Sequence, residues 1–166
     1  MSEEISALIS RLADRDGIIR QTARLTLEDI GHPATAHLVK LLSDKRDYVR
    51  WEAVKALVEI TDPSSARALV KALEDEVFDI RWLAARALIK LGNVALAPAL
   101  RAIILTSEPD WLWEGVRHVV HDLAKGDLEK TLSPLVAAFD DIDYRMKVPI
   151  EARRVLAEMQ SLPEEV

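Results

Sequence analysis

Cysteine is absent from the 166 residues of the sequence. Its absence excludes disulfides, Cys-ligated zinc, iron–sulfur clusters and a thiol nucleophile, because each of these needs a cysteine sulfur. Long apolar runs are also absent, since no stretch approaches the ~20 residues that span a bilayer. The first residues, Met1 to Glu4, are acidic where a secretory signal would be basic. We therefore expect a soluble, cytoplasmic protein with no membrane partner.

Positive charge and aromatic side chains are scarce. The 22 Lys and Arg residues are outnumbered by 28 Asp and Glu, which gives a formal net charge of −6, and aromatic residues make up 5% of the chain. This balance disfavours a nucleic-acid partner, because non-specific binding to phosphates needs dense Lys and Arg. The sequence also has no Gly-rich phosphate loop, no Ser/His/Asp arrangement and no nucleophile elbow. It favours a protein that is not an enzyme, and we expect no catalytic residue, no cofactor and no metal site.

The strongest positive feature is a repeated segment. Arg50 and Arg81 are 31 positions apart (81 − 50), and each is followed by Trp, with Ala at +3, Leu at +7 and Ile or Leu at +10. Weaker copies begin at Arg20, Trp113 and Arg145. Offsets of three, seven and ten lie on one face of an α-helix, because each residue advances by about 100°. The repeated segment is therefore predicted to be a helix.

A second apolar stripe precedes each copy. Its members are Leu8, Ile9 and Leu12; Leu38, Val39 and Leu42; Leu69, Val70 and Leu73; Leu100, Ile103 and Ile104; and Leu135, Val136 and Phe139. Each repeat is thus two amphipathic helices, a unit that buries its apolar face only by stacking on its neighbours. The predicted fold class is all-α, a solenoid or α-α superhelix of about five helix pairs. The pairs are expected at residues 3–31, 32–61, 62–92, 93–126 and 127–160, in one domain of residues 1–160 with a frayed tail at 161–166.

Capping residues and proline mark the ends of several helices. Asp62 is expected to cap the helix that follows it, and Ser107 or Asp110 to cap the second helix of the fourth pair. Pro149 lies inside the last predicted helix, where a proline removes one hydrogen bond and kinks the helix or delays its start.

The repeated segment carries a family resemblance. Asp47 to Leu57 combines an Asp, a Val-Arg pair, two spaced alanines and a leucine, and Asp79 to Leu88 repeats it with one residue fewer before its arginine. This pattern resembles HEAT-like repeats, specifically the short type also found in phycobilisome bilin lyases, over about residues 3–126 and more loosely beyond. Proteins of this type include non-catalytic scaffolds, bilin lyase subunits, a metal-dependent hydroxylase and alkylated-base DNA glycosylases. The hydroxylase type carries His-Glu dipeptides as iron ligands, and this sequence has none.

In solenoids of this type the second helix of each pair lines the concave surface. The position after each anchor and those four and seven further on point away from the core. With Arg117 beside them, they give a candidate partner-binding face of Trp51, Lys55, Trp82, Arg86, Glu114, Arg117, His118 and His121. Exposed Trp and Arg are enriched at interface hot spots, so this face predicts a groove for a protein or peptide. The alternative is that both indoles are inter-repeat packing.

Three arginines at equivalent positions, Arg20, Arg50 and Arg81, are interpreted as structural. An aspartate precedes each by two to four residues, at Asp16, Asp47 and Asp79. An arginine fork that binds carboxylates or carbonyls between stacked repeats accounts for this pattern.

A metal site is a weaker interpretation of the fourth repeat. Glu114, His118 and His121 fall at i, i+4 and i+7, with Asp122 nearby, a spacing that zinc or iron accepts. Exposed Glu and His at helical spacing are common, however, and no second ligand-bearing helix is evident.

A DNA glycosylase is also a weaker interpretation, because such an enzyme needs aromatic residues and a catalytic Asp on a strongly basic face. Asp110, Trp111 and Trp113 supply the residue types, but the net charge opposes this function.

The predicted function is a non-catalytic protein–protein interaction scaffold. A bilin lyase-type enzyme subunit and a HEAT-like DNA-repair glycosylase are the alternatives.

Overall fold

The structure is a computed structural model that describes residues 2–106 and 111–161, and the regular secondary structure of these residues is helical. The α-helices are α1 (Ser2–Arg11), α2 (Gly17–Ile30), α3 (Thr35–Leu41), α4 (Asp47–Ile60), α5 (Ala66–Ala72), α6 (Phe78–Leu91), α7 (Asn93–Leu105), α8 (Trp111–Leu123), α9 (Glu129–Phe139) and α10 (Tyr144–Ser161). Short 3-10 turns at His32–Ala34 and Pro63–Ser65 lead into α3 and α5. The predicted all-α class is confirmed. Among the described residues, no helix combines the length and apolar character needed to cross a membrane.

Two rows of helices run through most of the chain. We call α1, α3, α5 and α7 the first-helix row, and α2, α4, α6 and α8 the second-helix row. In the second-helix row α2 packs on α4, α4 on α6 and α6 on α8, and each first helix packs on the second helix of its own pair. The +7 residues of the repeated segment, Leu27, Leu57, Leu88 and Val120, are buried between these layers. The stacked pairs form the α-solenoid that the periodicity predicts.

The three equivalent arginines bind the turn that precedes their helix. In each case Nη1 donates to a carbonyl oxygen six residues earlier: Arg20 to Asp14 at 2.9 Å, Arg50 to Asp44 at 2.9 Å and Arg81 to Asp75 at 2.7 Å. Arg50 also forms a fork with the Asp75 carboxylate, Nε to Oδ2 at 2.7 Å and Nη2 to Oδ1 at 3.1 Å. This fork links the second repeat to the third and raises the pKa of Arg50. A structural role is confirmed for the three arginines, and the Arg50 fork lies between repeats as predicted. The carbonyl bonds, however, lie within single helix pairs, and the aspartates involved are not Asp16, Asp47 and Asp79.

Trp113 takes the place of the arginine in α8. Its indole is buried and meets the rings of Phe139 and Tyr144 edge-on, at centroid distances of 6.4 and 6.1 Å. Edge-to-face contacts of this kind add to the free energy gained by burial. Trp113 therefore joins α8 to the last helix pair.

The last helix pair exchanges rows. α9 packs on α8, the final member of the second-helix row, whereas α10 packs on α7, the final member of the first-helix row. Val148, Ala152 and Val155 of α10 are buried, as the weakest copy of the repeat predicts. The apolar face was therefore predicted correctly, but the periodicity of one helix does not specify which neighbour covers that face.

The predicted cap at Asp62 is confirmed, because its Oδ1 accepts a hydrogen bond from the backbone N–H of Ser64 at 2.9 Å. Pro149 does not delay the last helix, since α10 begins at Tyr144 and continues through the proline. The predicted caps Ser107 and Asp110, and residues 162–166 of the predicted tail, lie outside the described residues.

A buried ion pair joins α2 to α4. Arg24 Nε donates to Glu52 Oε2 at 3.0 Å, and both side chains are buried. Arg24 also binds Glu28, one turn further along α2. On the same helix as Glu52, an exposed pair joins α4 to α6, with Lys90 Nζ 2.9 Å from Glu59 Oε2. The two pairs link successive second helices but differ in access to water.

Glu52 and Glu59 therefore provide a matched test of the buried pair. We expect Glu52→Gln to lower the free energy of unfolding by about 1–2 kcal/mol, because the buried Arg24 guanidinium loses one charged partner while it keeps its pair with Glu28. Glu59→Gln should lower it by less than about 1 kcal/mol, because its pair with Lys90 is solvated. Urea unfolding of both variants measures the two values, and equal losses would contradict a special role for the buried pair.

Candidate functional site

The structure places the predicted partner-binding residues in three groups along the second-helix row. The groups are Trp51 with Lys55 on α4; Trp82, Arg86, Glu114 and His118 between α6 and α8; and Arg117 with His121 towards α9. The groups follow the contacts of these side chains, except that Arg86 is assigned by its exposed position one turn beyond Trp82. The predicted single strip is therefore divided, and the groups differ in chemistry.

The group on α4 consists of an indole under a cation. Lys55 Nζ lies 4.3 Å from the centroid of the Trp51 ring, a cation–π distance. Trp51 is half-buried and packs against the hydrophobic core. Only part of this ring is therefore accessible to a partner.

Trp82 occupies the equivalent position on α6 but is more open. Its side chain is 46% exposed, and its ring stacks on the imidazole of His118, with the centroids 4.9 Å apart and the planes tilted by 33°. Arg86, one turn beyond Trp82, is exposed. The two tryptophans are thus alike in sequence position and unlike in burial.

Arg81 supplies a fixed cation beside Trp82. Its Nη1 donates to the carbonyl oxygens of Asp75 at 2.7 Å and Glu76 at 3.2 Å, which hold the guanidinium at the start of α6. The guanidinium carbon lies 4.2 Å from the centroid of the Trp111 ring and 5.6 Å from that of Phe78. These contacts order three side chains that would otherwise rotate freely at the surface.

A pocket of about 180 Å³ opens between α6 and α8. We call it the α6–α8 pocket; its lining residues are Phe78, Arg81, Trp82, Ala85, Trp111, Glu114, Gly115 and His118. Three aromatic rings at its rim are partly open to solvent, with exposed fractions of 62% for Phe78, 46% for Trp82 and 47% for Trp111. The rim also carries the guanidinium of Arg81 and the exposed carboxylate of Glu114. The pocket can hold an apolar group between the aromatic rings, while a polar group of the same ligand contacts either Arg81 or Glu114.

Gly115 allows α8 to approach α5 closely at this pocket. A Cβ atom at Gly115 would lie 2.8 Å from Cδ2 of Leu73, which is fully buried. Such a distance is too short for ordinary carbon contact, so any larger residue would displace α8 or Leu73. The absence of a side chain at Gly115 therefore lets helix backbone line the α6–α8 pocket while α8 packs closely on Leu73.

Arg117 and His121 contribute to a different contact. Arg117 Nη2 donates to Oδ1 of Asp140 at 2.5 Å, and His121 Nε2 lies 3.8 Å from the same oxygen. Asp140 follows the last residue of α9, so these side chains connect α8 to α9. The charge of Arg117 is thus partly offset within the protein.

The residues of the proposed metal site are separated by these contacts, since His118 stacks on Trp82 and His121 faces Asp140. Within residues 2–106 and 111–161, no group of three or more His, Cys, Asp or Glu side chains is arranged to hold a metal ion.

Sequence reasoning missed Phe78 altogether and treated Arg81 as purely structural. Phe78 is the first residue of α6, outside the offsets counted from the repeated arginine. A usable signal was the pairing of an aromatic residue with the arginine three positions later, at Phe78 and Arg81, because i and i+3 side chains meet on a helix.

Comparisons with known proteins agree with this architecture. A family model described as HEAT repeats matches residues 5–81 and 35–117, which together span more than half of the chain. No match is found among curated proteins. Among solved structures, an engineered protein is 22% identical with a TM-score of 0.51, over 95% of this chain and 80% of that chain. A designed armadillo repeat protein in complex with the peptide (KR)4 is 22% identical with a TM-score of 0.48, over 98% of this chain and 94% of that chain. At this identity, the likeness to the engineered protein concerns the fold alone.

The different burial of the two tryptophans predicts different effects on stability. Trp51→Ala should lower the free energy of unfolding by about 2–3 kcal/mol, because the indole packs on the core. Trp82→Ala should lower it by less than about 1 kcal/mol, because its ring packs mainly on the half-buried His118 at the surface. Chemical denaturation of both variants measures this difference. A larger loss for Trp82→Ala would show that its ring, not that of Trp51, is the packing residue.

Proposed function

This chain belongs to the HEAT repeat family, and we propose that it is a non-catalytic interaction scaffold that binds a protein or peptide on its second-helix row. The observation that carries the proposal is the α6–α8 pocket, where three partly exposed aromatic rings surround an opening between two rigidly packed helices. Exposed aromatic clusters of this kind are costly in water unless a partner covers them. The predicted concave face would then be the binding surface.

The size of the pocket favours a side chain as its occupant. At about 180 Å³, it is smaller than the roughly 300–1,000 Å³ of typical small-molecule sites. A protruding apolar or aromatic side chain of a partner would fill it and contact Trp82 and Trp111. Trp is among the residues that most often dominate binding energy, particularly in a desolvated pocket.

Ordering of the rim before binding supports the same function. Arg81 is held by two carbonyl oxygens and stacks on Trp111, and Trp82 stacks on His118. Side chains that are already ordered lose less conformational entropy when a partner binds. A rigid solenoid with such a rim therefore needs little rearrangement to form an interface.

Basic side chains beside the aromatic rings suggest a preference for acidic partners. Lys55 lies over Trp51 and Arg86 follows Trp82 by one turn, whereas Arg117 is paired with Asp140. We therefore propose that Lys55 and Arg86 favour partners with acidic groups next to the anchoring side chain, chiefly by raising the rate of association. The cytoplasmic location expected from the sequence stays a prediction.

Affinity capture from an extract of the source cell tests this proposal. We expect a protein retained by the natural chain to be lost by Trp82→Ala, with an affinity reduced by at least about 2 kcal/mol, or about 30-fold in Kd. Leu105→Ala is the matched control, because Leu105 is an exposed apolar residue on α7 of the first-helix row. Circular dichroism establishes that each variant is folded.

The outcomes separate the alternatives. Loss of the captured protein by Leu105→Ala, with retention by Trp82→Ala, would transfer the site to the first-helix row. An enhanced, red-shifted spectrum on incubation with a bilin would instead support a bilin lyase-type subunit. Salt-sensitive binding to duplex DNA would support a glycosylase.

A further inference from the structure

The last described helix pair, α9 and α10, exposes an apolar surface. Ile142, Met146 and Ile150 are 94%, 70% and 62% exposed, although all three are large hydrophobic residues. Beside them, a groove of about 480 Å³ runs between α9 and α10. Its lining residues are Pro134, Ala137, Ala138, Asp141, Lys147, Ile150 and Glu151. We call this surface the end face.

The exposed residues of α10 lie opposite its buried ones. Val148 is fully buried. Met146 and Ile150, two residues before and after it, lie on the opposite side of α10, because two residues advance by about 200°. From α1 to α8, by contrast, each helix pair packs against the pair that follows it. Large apolar side chains that are exposed together on one side of a helix are typical of a surface that another molecule covers.

Opposite charges stand at the two ends of this apolar stripe. Asp143 precedes Met146 by about one turn, and Arg153 follows Ile150 by about one turn, and both are exposed. Neither lies within ion-pair distance of an opposite charge in the described ranges, although Arg153 Nη1 donates to the carbonyl oxygen of Pro149 at 3.3 Å. Lys147 has a raised pKa because it binds Asp141, and Asp143 adds to this effect. On the side of α10 that carries Met146 and Ile150, the order is therefore negative, apolar, apolar, positive, with Asp143 just before the helix begins. The exposed Arg145 and Lys147 point about 100° to either side of Met146.

We propose that a second copy of this chain covers the end face, in a two-fold symmetric dimer with the two α10 helices antiparallel about the level of Val148. Positions equally distant from that level then face each other. Met146 of one copy meets Ile150 of the other, and Asp143 meets Arg153. A two-fold interface must be self-complementary, and the order of charges along α10 satisfies that requirement.

The interface would be of modest strength. A stable interface commonly buries about 800 Å² on each partner, and two helices with a few large apolar residues approach the lower end of the size range. We therefore expect a dissociation constant on the order of 1–100 μM, within reach of sedimentation analysis.

Sedimentation equilibrium of the natural chain between about 1 μM and 1 mM tests the dimer. We expect a monomer–dimer equilibrium that Ile150→Asp converts to monomer, because the two-fold axis places an aspartate of each copy against the apolar stripe. Ile18→Asp is the matched control, since Ile18 is an exposed isoleucine on α2 at the other end of the chain. A natural chain that stays monomeric over the whole range, or a dimer unaffected by Ile150→Asp, would overturn the proposal.

Charge reversal tests the antiparallel arrangement. Arg153→Asp and Asp143→Arg should each weaken the dimer by about tenfold or more, because each places like charges opposite one another. The double variant Asp143→Arg/Arg153→Asp should restore the affinity to within about threefold of the natural chain. Additive weakening in the folded double variant would exclude this pairing. If Asp143→Arg fails to fold, an unchanged dissociation constant for Arg153→Asp would exclude it equally.

Discussion

Burial of each helix pair against the next is the constraint on which the rest of this structure depends. Leu27, Leu57 and Leu88 occupy the same place in successive second helices, and each is buried only because adjacent helices cover it. Polar links follow the same local rule, since the Arg24–Glu52 pair joins α2 to α4. The core runs continuously from one helix pair to the next, and each pair contacts chiefly its neighbours, so the stability is approximately a sum of contacts between neighbours. The helices of the second-helix row are therefore fixed by their buried faces, and the exposed side chains of these helices are positioned as a result.

The repeated arginine shows how one position acquires two uses. Arg20, Arg50 and Arg81 all bind the carbonyl oxygen of a preceding turn, and Arg50 extends this role by its fork with Asp75. At Arg81 and at Arg20 the guanidinium also stacks on an aromatic ring near the start of the next second helix, on Trp111 at 4.2 Å and on Tyr48 at 4.8 Å. At Arg81 this contact lies at the rim of the α6–α8 pocket. A structural cation therefore becomes part of the α6–α8 pocket without losing its first function. The difference arises from the neighbouring repeat and not from the arginine itself.

Helix positions and buried faces could be predicted from the sequence because both depend on local periodicity. The copy that begins at Arg145 illustrates this, since its apolar residues are buried even though α10 lies in the unexpected row. The composition of the α6–α8 pocket could not be predicted in the same way. Trp51 and Trp82 are equivalent by spacing, but only Trp82 has a ring partner on the next helix, and Phe78 enters the site through the approach of α6 to α8. These are properties of tertiary contact, which a single helical pattern does not contain.

Because Gly115 packs closely on Leu73, one part of the α6–α8 pocket lining is less able to move than the rest. Where Gly115 lines the pocket, helix backbone packs against a fully buried leucine, whereas the rim consists of side chains that keep some access to water. Close-packed interiors resist compression, so this part of the lining cannot recede to admit a longer group. Rotamers at the rim can adjust at small cost. An occupant would therefore be selected strictly by length and loosely by chemical type, a combination that permits several unrelated sequences to share one anchor position.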